Sequence, residues 1–288
     1  MNVEQRHHVQ VAGSGAATIF FSHGFGCDQT MWRLVQPAFV TRFRTVTFDL
    51  VGAGQSDLSA YDPQKYSSLQ GHADDVLELI TRFGQGPVLF VGHSASALLG
   101  PPADLKAPGR IAAQVMICPS PSYLNDKDYT GGFERKDIDA LLSSMDSNYL
   151  AWSSTMAPVV MGTPDRPELG VELVKSFCRA DPDIAKAFAR VTFLSDNRAQ
   201  LPLLTTPTLI LQSSDDHMAP VSVGRYMRQV MPHGRLKLIE NIGHCPHLSA
   251  PEAIVDAIND FRVRRGLETR NASPAATASE AQDVLDQA

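Results

Sequence analysis

The stretch Val88-Leu-Phe-Val-Gly-His-Ser-Ala-Ser96 constrains this chain more than any other. Val88 to Val91 read as a short buried parallel strand, and Ala97-Leu-Leu99 read as the start of a helix. Ser94 then falls on the tight turn between them, with its hydroxyl exposed at the end of the sheet. The turn brings the strand and helix backbones together, so the places two residues either side of Ser94 must be small, as Gly92 and Ser96 are. Glycine is the usual choice at the second place, and Ser96 departs from it. A packed turn serine is the competing reading of Ser94.

The residues downstream of the turn favour a nucleophile. An activated serine needs a base within hydrogen-bond reach and an acid that holds the base in the right tautomer. Thr208 to Gln212 read as another buried strand, followed by the polar turn Ser213-Ser-Asp-Asp-His-Met-Ala-Pro220. Asp216, four residues before the Pro220 that opens the next helix, is the preferred acid, and Asp215 is the alternative. Leu236 to Ile239 predict a further strand, after which Glu240-Asn-Ile-Gly-His-Cys-Pro-His247 presents the base. His244 follows the glycine that frees the loop to turn an imidazole inward; His247 reads as a loop or helix-opening residue, and His217 is a further competitor. The serine, acid, histidine order is that of a triad built on a parallel sheet. An early strand, Thr18 to Ser22, ends in His23-Gly-Phe-Gly26. A glycine-rich turn there aims a backbone N–H into the site, so Phe25 and Ala95 are the expected oxyanion-hole donors.

Apolar strands and amphipathic helices alternate through the rest of the chain, which predicts an α/β fold with a mostly parallel sheet and helices on both faces. Val9 to Val11 and Ile19 to Phe21 suggest a hairpin around Gly13-Ser-Gly15. Gln29 to Phe39 suggest a helix disturbed by Pro37. Ser68 to Phe83 predict a helix, with Leu69, Ala73, Val76, Leu77 and Ile80 inward and Asp74 and Asp75 on a solvated face. Gly52 and Gly54 lack the third glycine and the Lys-Ser/Thr of a phosphate cradle. Between Pro119 and about Gln200 the strands stop, and periodicity outlines three helical segments. Two carry Ile138, Leu141, Leu142 and Met145, and Ile184, Ala187, Phe188 and Val191. Asp181-Pro182 is a helix start. The expected division is residues 1–118 and 201–265 as the α/β core, 119–200 as an inserted helical cap and 266–288 as a disordered tail. Such a cap faces the catalytic edge, so Phe25, Tyr123, Phe133, Trp152, Met156 and Phe193 are the expected lining of an apolar pocket.

The net charge of −6 is spread without long runs, which excludes a basic nucleic-acid stripe and a polybasic membrane surface. Four separated cysteines with no Cys-x-x-Cys pair indicate neither a zinc site nor a disulfide framework, so no metal is expected. The N-terminus has no apolar signal core and no run reaches the length of a membrane span, which reads as a cytoplasmic protein.

The segments His23 to Gln29, Gly92 to Ser96, Tyr123 to Phe133 and Gly243 to His247 together resemble RsbQ-type bacterial α/β-hydrolases, relatives of the plant karrikin and strigolactone receptors. The resemblance spans about Val9 to Phe261. It implies the α/β-hydrolase fold, a Ser94-Asp216-His244 triad, a four-helix cap over a hydrophobic pocket, no cofactor, and a small hydrophobic ester or lactone-like ligand that is hydrolysed slowly. It also implies a regulatory output through a PAS-domain phosphatase of a general stress sigma-factor pathway. A serine at position 96 fits this family. Gly100-Pro-Pro102 does not, since two prolines in the helix after the nucleophile predict its interruption. Two rival readings stand beside the enzyme: a ligand-binding signalling module with an idle triad, and a metabolic esterase or lactonase with no partner.

Overall fold

The computed structural model describes residues 2–266. The expected tail over 266–288 lies outside them apart from Gly266. Seven strands form one sheet in the order β1-β3-β2-β4-β5-β6-β7: β1 (Gln10–Ala12), β2 (Thr18–Ser22), β3 (Arg44–Phe48), β4 (Val88–His93), β5 (Ala113–Ile117), β6 (Thr208–Asp215) and β7 (Gly234–Ile242). All neighbours are parallel except β1, which runs antiparallel to β3. The expected hairpin is therefore absent: β1 skips β2 and pairs with β3, with Val11 opposite Val46.

The strands alternate as buried parallel strands must, with successive side chains on opposite faces. Ile19 and Phe21, Leu89 and Val91, Val115 and Ile117, Leu209 and Leu211 pack on one face. Phe20, Phe90, Met116 and Ile210 pack on the other. A short turn α1 (Val3–Arg6) precedes the sheet, and α2 (Leu69–Phe83) and α3 (Gly100–Lys106) join the second face. The helix expected over 29–39 is instead two 3-10 turns, Gln29–Trp32 and Gln36–Ala38, the second holding Pro37.

Two expectations are corrected on α2 and α3. Asp74 is half-exposed and pairs with Lys106 at 2.8 Å, but Asp75 is buried, accepting from the Tyr66 hydroxyl at 2.7 Å and the Lys65 ammonium at 2.6 Å. Adjacent helical residues are turned about 100° apart, so the two acids do not share one face. After the elbow, Ser94–Leu98 forms a 3-10 turn that ends at Leu99, and α3 starts anew at Gly100 with Pro101 and Pro102 in its first turn. There their missing N–H groups have no helical acceptor to lose, so the prolines begin a helix and do not break one.

Between β5 and β6 the chain forms four helices: α4 (Arg135–Ser147), α5 (Tyr149–Met161), α6 (Pro167–Arg179) and α7 (Pro182–Leu194). Periodicity alone outlines three. Their apolar faces join the first core cluster, Ile138, Leu142 and Met145 from α4, Trp152 from α5, Leu173 and Phe177 from α6, Phe193 from α7. The Asp181 side chain caps α7, accepting from Asp183 N–H at 3.0 Å and Ile184 N–H at 3.1 Å. The expected inward stripe of α7 is shifted: Ala185, Ala189 and Phe193 are buried, while Ile184, Phe188 and Val191 are half-buried on the α2 side. The described residues close with α8 (Val221–Val230), the short α9 (Pro246–Ser249) and α10 (Pro251–Arg264). Among the described residues, no helix is long and apolar enough to cross a membrane.

Candidate active site

The site forms at the carboxyl ends of β2, β4, β6 and β7. Ser94 is the first residue beyond β4 and sits at φ 54°, a left-handed conformation that a residue with a side chain seldom adopts. The turn is held by close approach. A Cβ on Gly92 would stand 2.5 Å from the Ser96 carbonyl oxygen, and one on Gly24 would stand 2.6 Å from His93 Nδ1 and 3.1 Å from Ser94 Cβ. Ser96 explains its own departure from glycine: its hydroxyl donates to the His23 carbonyl and so ties the elbow to the Phe25 turn. His23 in turn accepts the Leu50 N–H at 3.0 Å, fixing the far side of that turn. Ala95 is the second residue of the 3-10 turn, so its N–H has no acceptor within that turn. Among the described residues no backbone hydrogen bond occupies the Phe25 N–H either.

His244 Nε2 lies 2.8 Å from Ser94 Oγ, and His244 Nδ1 lies 2.7 Å from Asp216 Oδ2. The other Asp216 oxygen accepts the N–H groups of Met218 at 2.8 Å and Ala219 at 3.1 Å. Burial pushes the Asp216 carboxyl upward, but the His244 ring and these two N–H groups outweigh it and hold the group below its usual range. Asp215 is exposed, and only its carbonyl takes part, accepting Gly243 N–H at 2.7 Å. The structure thus joins Asp216, not Asp215, to the histidine. An acceptor carboxylate at Nδ1 leaves the Nε2 lone pair free for the Ser94 hydroxyl proton.

The base loop is pinned from two sides. Gly243 adopts φ 96°, and a Cβ there would stand 2.0 Å from the Met161 carbonyl oxygen, so only glycine fits where the end of α5 crosses. His244 N–H donates to the Val160 carbonyl at 2.8 Å. The His93 Nε2–H donates to the His244 carbonyl at 2.8 Å, a link between the elbow and the base loop that sequence reasoning missed. Burial drives the His93 imidazole well below its ordinary pKa, with the nearby histidines adding to the effect, so it stays neutral. His247 is buried between Trp32 and His93, with ring centroids 4.9 and 4.3 Å away, and does not reach Ser94; His217 is exposed.

A narrow cavity lies above Ser94, lined by Phe25, Tyr123, Trp152, Met156 and Phe193 among others. Phe133 is a correction. It packs behind Tyr123, at 6.4 Å between ring centroids, and does not line the cavity. A short backbone bridge pairs Leu124 with Phe133 beside it. Leu141, Val160, Leu173, Phe177 and Met218 line it as well and were not anticipated. Leu169, Leu173 and Phe177 recur at i, i+4, i+8, so the α6 stripe was present in the sequence. The pocket is almost wholly apolar around the polar pair of Ser94 and His244. Burial raises the Tyr123 phenol beyond its usual value while the Ser94 hydroxyl acts the other way, so Tyr123 meets the pocket as a neutral hydroxyl.

Cys118, Asp216 and His244 place one potential metal ligand each within 4.8 Å of one another, the one such group among the described residues. Two of those atoms are already joined by the Asp216–His244 bond. Burial, reinforced by Asp216, keeps the Cys118 thiol far above its ordinary pKa, so it offers no thiolate.

The model of the Alpha/beta hydrolase family matches residues 19–257. A karrikin insensitive 2 receptor of Petunia hybrida is 38% identical over 258 residues, covering 89% of this chain and 95% of that protein. A strigolactone esterase of Arabidopsis thaliana is 36% identical over 251 residues, covering 87% and 94%. The solved structure of a hydrolase from Oleispira antarctica superposes with a TM-score of 0.86 at 42% identity, covering 90% of this chain and 96% of that one.

Proposed function

This chain belongs to the alpha/beta hydrolase family and is a serine esterase-type hydrolase, and on that premise we propose that Ser94, His244 and Asp216 hydrolyse a small apolar ester or lactone-like compound. The observation that carries the reading is the unbroken hydrogen-bond chain from Asp216 through His244 to Ser94 at the floor of an apolar cavity. His244 Nε2 takes the Ser94 proton as Oγ adds to the substrate carbonyl. The Phe25 and Ala95 N–H groups stabilise the resulting oxyanion, and Asp216 stabilises the imidazolium. His244 then gives the proton to the departing alcohol oxygen. A water loses its proton to His244 and attacks the acyl-serine, and His244 returns that proton to Ser94 Oγ as the acid departs. No step calls on a cofactor. Residues 119–200 act as the cap, since its helices supply the roof and Val160 and Met161 hold the base loop.

The regulatory extension rests on the resemblance to RsbQ-type proteins. In it, slow hydrolysis in the cytoplasm informs a PAS-domain phosphatase of a stress sigma-factor pathway. The test is hydrolysis of 4-nitrophenyl esters of acetate, butanoate and succinate by wild type and Ser94→Ala. Expected are turnover lost in Ser94→Ala by on the order of 10⁴-fold or more, and butanoate preferred over the charged succinate. Equal use of succinate would refute the apolar-substrate reading. For the extension, the phosphatase activity of a PAS-domain partner is expected to rise with wild type and ligand and to stay flat with Ser94→Ala.

A further inference from the structure

Behind the Phe25 side chain, away from Ser94, lies a second, narrow cavity between the 50–54 loop, α2 and α7. It shares Phe25 and Cys27 with the cavity above Ser94 and has its own far wall of Tyr61, Tyr66, His72, Ile184 and Phe188. The stripe of α7 that misses the first pocket, Ile184 and Phe188, is what roofs this one.

Three features set this cavity apart from a packing gap. First, its wall is a continuous succession of rings. Tyr61 and Tyr66 stack at 5.4 Å, Tyr66 and His72 stand 4.5 Å apart, His72 and Phe188 4.8 Å, and Phe188 and Phe25 5.9 Å. Phe25 then meets Trp152, Phe177 and Phe193 on the catalytic side. The ring path therefore runs from half-exposed Tyr61 to the roof over Ser94. Second, the buried side-chain nitrogen and oxygen atoms of the wall are accounted for, with one exception. The Tyr66 hydroxyl is committed to Asp75, His23 to Leu50 and Gly24, Ser176 to the Gly26 carbonyl, and Arg179 to Asp28. His72 is 2% exposed, hydrogen-bonds to nothing among the described residues, and has its Nδ1 buried without a partner. A buried imidazole without a hydrogen bond is costly unless something else supplies one. Third, burial lowers this imidazole to about 4, so at neutral pH it is uncharged and offers one donor and one acceptor.

Taking the Ser94 reading as given, we propose that the cavity behind Phe25 is a second ligand chamber, which seats a planar, uncharged ring bearing a hydroxyl or carbonyl oxygen hydrogen-bonded to His72. The ring is the distal half of an ester whose carbonyl lies at Ser94, and the Phe25 ring is the partition between the two halves.

The experiment compares three 4-nitrophenyl esters on wild type, His72→Phe and Ala53→Leu. The esters are the acetate, the 3-phenylpropanoate and the 3-(4-hydroxyphenyl)propanoate. Ala53 lines the chamber and takes no part at Ser94, and leucine there fills the space. Acetate kcat/KM is expected to stay within about twofold in both variants. Ala53→Leu lowers both long esters about tenfold, and His72→Phe lowers the hydroxylated ester alone by about tenfold, the size of one lost hydrogen bond. Long-to-short ratios unchanged in both variants overturn the chamber while leaving Ser94 standing. If wild type turns over no ester, the Ser94 reading fails. The chamber is then decided by calorimetric binding of 4-ethylphenol: binding by wild type that Ala53→Leu loses supports it, and no binding, or equal binding by all three proteins, overturns it.

Discussion

Asp215 and Asp216 are neighbours of the same type, yet their surroundings give them opposite fates. Asp216 is buried and receives two backbone N–H groups and the His244 ring; Asp215 keeps its carboxylate in solvent and lends only its carbonyl. Asp216→Asn is therefore expected to lower kcat on the order of 10³ to 10⁴-fold, because the amide presents a donor to Nδ1 and selects the wrong tautomer. Asp215→Asn is expected to stay within about twofold of wild type. Steady-state kinetics on a 4-nitrophenyl ester reads both. At this scale the sequence was most legible where chemistry leaves few choices: Ser94 on its turn, His244 after Gly243. It was least legible where a side chain serves another. His93 could not be foreseen as the clamp on the His244 carbonyl, because that bond joins residues far apart in the chain. The solvated reading of Asp75 failed for the same reason, since its partners Lys65 and Tyr66 lie outside the helix that carries it.

The elements show how a rule can be right and its application wrong. Prolines do disrupt helix interiors, by about 3 kcal/mol each, but Pro101 and Pro102 lie in the first turn of α3 because the elbow's 3-10 turn ends at Leu99. Pro101→Ala should then change unfolding free energy by less than about 1 kcal/mol, the size of a proline effect at a compatible site; urea denaturation reads it. A gain near 3 kcal/mol would mean that the helix runs through from the elbow. Where periodicity and burial agree, as on α2, the element was readable nearly to the residue. Where an α-helical stripe faces two different cavities, as on α7, spacing names the apolar residues and leaves open which cavity each one meets. The two helices between α4 and α7 were not told apart; the start of α6 at Pro167 lacks a side-chain cap.

Across the whole molecule, a mostly parallel α/β sheet was legible because buried parallel strands announce themselves as short apolar runs, and strand order was not, since β1 pairs with β3 across an intervening segment. The same architecture carries a cost at low pH. His72, His93 and His247 are buried and neutral: burial lowers His72 to about 4 and His247 to about 3, and holds His93 well below its ordinary value. In the unfolded chain they take up protons from about pH 6.5 downward. The stability they contribute is thus complete above about pH 6.5 and is lost as pH falls towards the folded values. Tm is expected to drop steadily between about pH 6.5 and pH 4, and less steeply in His247→Phe, where an uncharged ring remains between Trp32 and His93. A Tm that is flat over this range contradicts the burial of these imidazoles. The whole arrangement, sheet, insertion and loops, converges on one hydroxyl. The most direct measurement is intact-protein mass after rapid mixing with 4-nitrophenyl acetate, followed by peptide mapping. One acetyl group is expected on Ser94 in wild type and none on Ser94→Ala. An acetyl group carried equally by Ser94→Ala, or mapped to another residue, contradicts the assignment of Ser94 as the nucleophile.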